Sequence, residues 1–75
     1  MADATLDAKG LNCPLPIVKA KKSLKGLNSG ETLEVLSTDP GSILDFESFC
    51  KATGNVLMEQ SENGGVFQFL IQKGA

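Results

Sequence analysis

Along this chain the apolar positions switch between a period of two and a period of three to four, and each switch marks a change of element. In "TLDAK", Thr5 to Lys9, Leu6 and Ala8 point one way while Thr5, Asp7 and Lys9 point the other. That alternation predicts a short half-buried strand, which Gly10 ends. From Pro14 to about Leu27 the residues Ile17, Ala20, Leu24 and Leu27 recur at three- and four-residue steps and line one face of a helix. Pro14 suits a first helical turn, where its missing N–H costs nothing. "GLNSG", Gly26 to Gly30, supplies the stop.

"ETLEVLS", Glu31 to Ser37, reads as a second strand with Leu33 and Val35 on its inward face. After the break at "TDPGS" a second helix is expected from Ser42 to Thr53. Its apolar face is Ile43, Phe46, Phe49 and Cys50, and Gly54 closes it. Ser42 and Asp45 have the spacing of a capping box. "NVLMEQS", Asn55 to Ser61, and "VFQFLIQ", Val66 to Gln72, are two further strands, and "ENGG", Glu62 to Gly65, is a hairpin signal between them.

The order β-α-β-α-β-β predicts an α+β fold, an α/β two-layer sandwich with a mixed four-stranded sheet and both helices packed on one face. Residues 1–75 are expected to form a single domain. The other face of the sheet should be more solvated. The crossover from the first strand to the second makes those two strands parallel, so the loops that follow them share one edge of the sheet.

Composition narrows the chemistry. A net charge of −2 and an isoelectric point near 4.9 argue against general nucleic-acid binding, which wants a basic footprint. The chain's four aromatic residues are all phenylalanines, mostly on expected core faces, which weighs against base stacking. No apolar run is long enough to span a membrane, and "MADATLDAKG" has no secretory pattern, so the expected compartment is the cytoplasm. Histidine is absent, as are tyrosine, tryptophan and arginine. No Ser-His or Cys-His nucleophile pair can be assembled from such a set. Cys13 and Cys50 form neither a CxxC motif nor a zinc-ligand set, so no metal and no cofactor are expected.

Cys13 falls at the junction of the first strand and the first helix. Unpaired N–H groups and the macrodipole make a helix start positive, which favours a thiolate there without any general base. Pro14 and Pro16 stiffen the junction, Pro14 by fixing its own φ and driving Cys13 towards extended geometry. The result is a polarised thiol on a rigid corner, suited to accepting and handing on a group. A small buried hydrophobe is the other reading of Cys13, and packing is the favoured reading of Cys50. Lys19, Lys21, Lys22 and Lys25 cover the solvent side of the same helix, with Leu15 and Val18 projecting among them. They form either a solvated face or a docking surface for an acidic partner. Asp39, in the loop after the second strand, falls within reach of the Cys13 corner if the two strands are parallel.

"GLNCPLP", with Gly10, Cys13, Pro14 and Pro16, resembles the Cys-Pro-Xxx-Pro signature of the TusA (SirA-like) sulfur carrier family. The likeness extends through "GETLEV" at Gly30 to Val35, "DPGS" at Asp39 to Ser42, "FC" at Phe49 and Cys50, and "FLIQK" at Phe69 to Lys73. What the resemblance implies is a carrier of sulfane sulfur, held as a persulfide on Cys13. A rhodanese or cysteine desulfurase would load it, and a DsrE-like or TusD-like protein would accept the sulfur. Members serve tRNA wobble-uridine thiolation, molybdenum cofactor supply or sulfur oxidation. Many members that thiolate tRNA have arginine before the cysteine and an acid between the prolines. Asn12 and Leu15 stand there in this chain, closer to members tied to sulfur oxidation. The family's basic residue near the C-terminus is represented by Gln72 followed by Lys73.

Two other classes compete. A thiol–disulfide module needs a resolving cysteine, for which Cys50 is the candidate. A non-catalytic interaction domain would make Cys13 incidental and the lysine and Val18 face the working surface. In every reading the chain is expected to be a monomer with no direct membrane or nucleic-acid contact.

Overall fold

A computed structural model describes residues 2–12 and 15–74. Its elements are β1 (Ala4–Ala8), α1 (Leu15–Lys25), β2 (Thr32–Ser37), α2 (Ser42–Thr53), β3 (Val56–Asn63) and β4 (Val66–Gln72). The strands form one mixed sheet in the order β1-β2-β4-β3. β1 and β2 are parallel, as the α1 crossover requires, and β4 runs antiparallel to both β2 and β3.

β4 lies inside the sheet, paired along both edges, and its side chains alternate between the two faces. Phe69 and Ile71 are buried on the helix face and Leu70 is half-buried on the other. β3 is left as an edge, interrupted by a bulge between Leu57 and Glu59 that disrupts regular edge pairing. The β3–β4 hairpin turns on Gly64 and Gly65, with φ of 60° and 86°. A two-residue turn of this hand needs positive φ at both positions, which glycine adopts without penalty.

Register arranges the core in rows across the sheet. Leu6, Val35 and Phe69 lie side by side, and next to them Ala4, Leu33, Ile71 and Leu57. Both helices cover this face: α1 contacts β1 and β2, α2 contacts β3 and β4, and the helices touch each other. Phe46 of α2 is fully buried over Phe69, with ring centroids 4.7 Å apart, and Phe49 meets Phe46 edge-on at 6.3 Å. Each fully buried side chain of this size contributes about 1.5–3 kcal/mol through removal of apolar surface from water. Ala8, Ala20, Leu24 and Cys50 complete the buried set. The opposite face carries the row Thr5, Glu34, Leu70 and Glu59, and Gln68 donates a hydrogen bond to Glu34 there.

Two element ends lie two residues from the sequence pattern, other boundaries shift by one, and one cap differs. α1 ends at Lys25 rather than Leu27, because the Leu27 N–H turns back to the Leu24 carbonyl at 3.0 Å. β3 runs on to Asn63, since a two-residue turn lets pairing continue up to the glycines. The capping box at Ser42 and Asp45 does not form. Gly41 is the N-cap and offers no side chain, while the Ser42 hydroxyl is buried against the Ser37 hydroxyl at 2.6 Å. α2 does close at Gly54. The C-terminal residues are tied down as well: the Lys73 ammonium donates to the Leu24 carbonyl at 2.6 Å, closing the end of α1. Among the described residues no helix is long and apolar enough to cross a membrane.

Candidate functional site

The site is built where β1 and β2 end. Their parallel register sets Ala8 beside Ser37, so the chain leaves both strands at the same level and two loops rise together. Gly10 turns the first loop with a φ of 82°, a left-handed conformation that side chains resist. Its N–H donates to the Thr38 hydroxyl at 2.9 Å, joining the loop after β1 to the loop after β2. The Leu15 N–H donates to the Asn12 carbonyl at 2.9 Å where α1 starts. Cys13 and Pro14 lie outside the described residues.

The second loop is braced from below. The Asp39 N–H donates to the buried Ser37 hydroxyl at 3.2 Å, the Asp39 carbonyl accepts from Ser42, and Asp39 Oδ1 accepts from Gly41 at 3.0 Å. Asp39 is therefore half-buried and engaged at the start of α2, one residue along from the Thr38 contact. Sequence reasoning placed Asp39 at this edge but gave Thr38 and Ser37 no role of their own and read Ser42 as a cap. The signal for Thr38 was available: a hydroxyl one residue beyond a strand whose parallel partner ends at the same level.

α1 presents the remaining candidates. Pro16 is fully buried in the first turn, a core residue as well as a stiffener. Leu15 and Val18 are about half exposed, at 48% and 55%. Lys19, Lys21, Lys22 and Lys25 are exposed beside them, and none has an ion-pair partner among the described residues. Val18, Lys21, Lys22 and Lys25 line a shallow concavity on the outer face. The first turn of α1 has no acidic residue, so its positive end is not neutralised from within.

Cys50 sits eight residues into α2, about 12 Å along the helix axis from the edge where the loops meet. It is buried and free, and burial pushes its thiol pKa up, in the direction of an unreactive neutral group. Among the described residues no group of histidine, cysteine, aspartate and glutamate gathers at metal-binding spacing.

Residues 4–73 match the family model described as sulfurtransferase TusA. The chain belongs to this family. A sulfur carrier protein TusA of Allochromatium vinosum is 61% identical over 71 residues, covering 95% of this chain and 93% of that protein. A putative sulfur carrier protein of Neisseria meningitidis is 51% identical over 72 residues, covering 96% and 97%. The crystal structure of a SirA-like protein from Desulfitobacterium hafniense superimposes with a TM-score of 0.83 at 30% identity, covering 96% of this chain and 99% of that one. The four-stranded mixed sheet with two helices is thus the fold of the SirA-like neighbour as well.

Proposed function

We propose that this protein is a sulfur carrier that holds sulfane sulfur as a persulfide on Cys13 and hands it to another protein, residues 1–75 acting as one carrier domain. The Cys13 thiolate attacks the outer sulfur of a donor persulfide. The donor's S–S bond breaks, the donor leaves as a thiolate, and Cys13 carries the persulfide. An acceptor thiolate then attacks that outer sulfur and Cys13 is released as a thiolate. No electron is gained or lost overall, so no redox cofactor takes part, and the protein works as a relay.

The observation that carries this reading is the start of α1. The cysteine precedes Leu15, the first residue of α1, by two positions. That helix has no acid in its first turn, and the chain has no histidine. An N-terminal helix field favours the thiolate by about 0.3–1 kcal/mol at an exposed site, which suits transfer without a base. Family membership and the sulfur carrier names of the relatives support the same cargo. Leu15, Val18, Lys19 and Lys22 form the docking face, an apolar patch running into a basic one, for an acidic surface on the partner. The donor is a rhodanese or cysteine desulfurase and the acceptor a DsrE-like or TusD-like protein, within cytoplasmic sulfur trafficking. Asn12 and Leu15 favour sulfur oxidation over tRNA thiolation.

The test is intact mass before and after incubation with a persulfide donor, on wild type, Cys13→Ser and Cys50→Ser. One added sulfur, removed by reductant, absent in Cys13→Ser and kept in Cys50→Ser, is the expected result. No gain with any competent donor would return the lead to a non-catalytic interaction domain.

A further inference from the structure

Resting on the reading of Cys13 as the sulfur-bearing residue, we propose that Thr38 is a positioning residue that holds the arm leading to Cys13 against the β2–α2 loop. Three consecutive N–H groups leave β1, and they are not satisfied alike. Lys9 donates to the Asp7 carboxylate at 3.0 Å and Leu11 to the Ala8 carbonyl at 3.2 Å, both back to the end of β1. Gly10 alone of the three reaches another element, the Thr38 hydroxyl at 2.9 Å. At the same residue the chain turns with a left-handed φ of 82°.

The two sides of this contact differ in rigidity. Thr38 stands between Ser37, whose buried hydroxyl is locked to Ser42, and Asp39, whose backbone and carboxylate bind the first residues of α2. Residues 9–12 have local bonds and one half-buried anchor, Leu11. Rigidity therefore passes from the β2–α2 loop to the arm through the Thr38 hydroxyl. A thiol that exchanges sulfur with a group on a second protein must meet it at a set distance and angle, and looseness there slows transfer without altering the chemistry.

Thr38→Val keeps the shape and removes the acceptor, while Thr38→Ser keeps the acceptor. Thr38 is exposed, so neither change threatens the core. Gly10 amide proton exchange, read by NMR, should quicken about fivefold in Thr38→Val, the worth of one net hydrogen bond. Sulfur transfer from loaded protein to an acceptor thiol protein should slow by about the same factor. Alkylation of Cys13 across pH should keep wild-type speed with a small reagent, which needs no docking geometry. Thr38→Ser should restore both exchange and transfer. Unchanged Gly10 exchange in Thr38→Val overturns the clamp, and faster exchange with wild-type transfer overturns its positioning role. Wild type that takes up no sulfur sinks the carrier reading instead, and leaves Gly10 exchange to judge the contact by itself.

Discussion

The two helices lie side by side on one face of the sheet yet have been given opposite work. α2 turns its phenylalanines inward and leaves Leu44 in solvent: Phe46 is stacked on Phe69, Phe49 meets it edge-on, and Cys50 is buried beside them. Its start is neutralised from within, by Asp45 in the first turn and by the Asp39 carboxylate on the Gly41 N–H. α1 buries only the small or compact Pro16, Ala20 and Leu24, and shows Leu15, Val18 and its lysines to solvent. Its start has no acid. The difference teaches how a small domain divides its helices: both reach the core, α2 brings its aromatic side chains, and α1 leaves its positive end and basic outer face uncompensated.

Breaking the core helix should cost the most. Phe46→Ala is expected to lower stability by about 3–5 kcal/mol, a loss that urea unfolding will register; a loss below about 1 kcal/mol would mean that α2 is not the core helix. The outer face of α1 should respond in the opposite way. Reversing Lys19 and Lys22 to glutamate should change unfolding free energy by no more than about 0.5 kcal/mol. The same pair of changes should weaken binding of a sulfur donor about tenfold at low salt, measured by titration calorimetry, and unaltered affinity would make these lysines a solvated face only.

Cys50 should matter less to the core than Phe46. Cys50→Ala should cost about 1 kcal/mol and leave sulfur loading intact. Because burial raises its pKa, folded and unfolded chains both hold the proton below the ordinary thiol value of about 8.5. Above that value the unfolded chain loses its proton first, so stability falls as pH rises. Urea midpoints between pH 7 and 10 should show that decline in wild type and a flatter one in Cys50→Ala. Equal slopes would separate Cys50 from the pH dependence.

Much of this was legible in the residues. The period of two in Leu6 and Ala8, the three- and four-residue steps of Ala20 and Leu24, and the span of α2 from Ser42 to Gly54 all follow from side-chain geometry along one segment. So do the exposure of Leu15 and Val18 and the parallel pairing of β1 with β2. Ser42 shows where such reasoning fails. Its spacing to Asp45 is that of a capping box, but Ser37 lies within hydrogen-bond reach in the fold and takes the hydroxyl instead. A buried hydroxyl must find a partner, and only packing decides which one is near.

The sequence by itself determined the elements, the helix-covered and open faces of the sheet, and the family that the Cys13 motif announces. These depend on local spacing, turn chemistry and residue type. The tertiary structure alone decided that β4 lies between β2 and β3, that Lys73 closes α1, and that Gly10 meets Thr38. Each of those joins residues 28 to 49 positions apart or settles which strand is paired along both of its edges. Such contacts are set by the whole chain competing for burial and hydrogen-bond partners, which no single segment records.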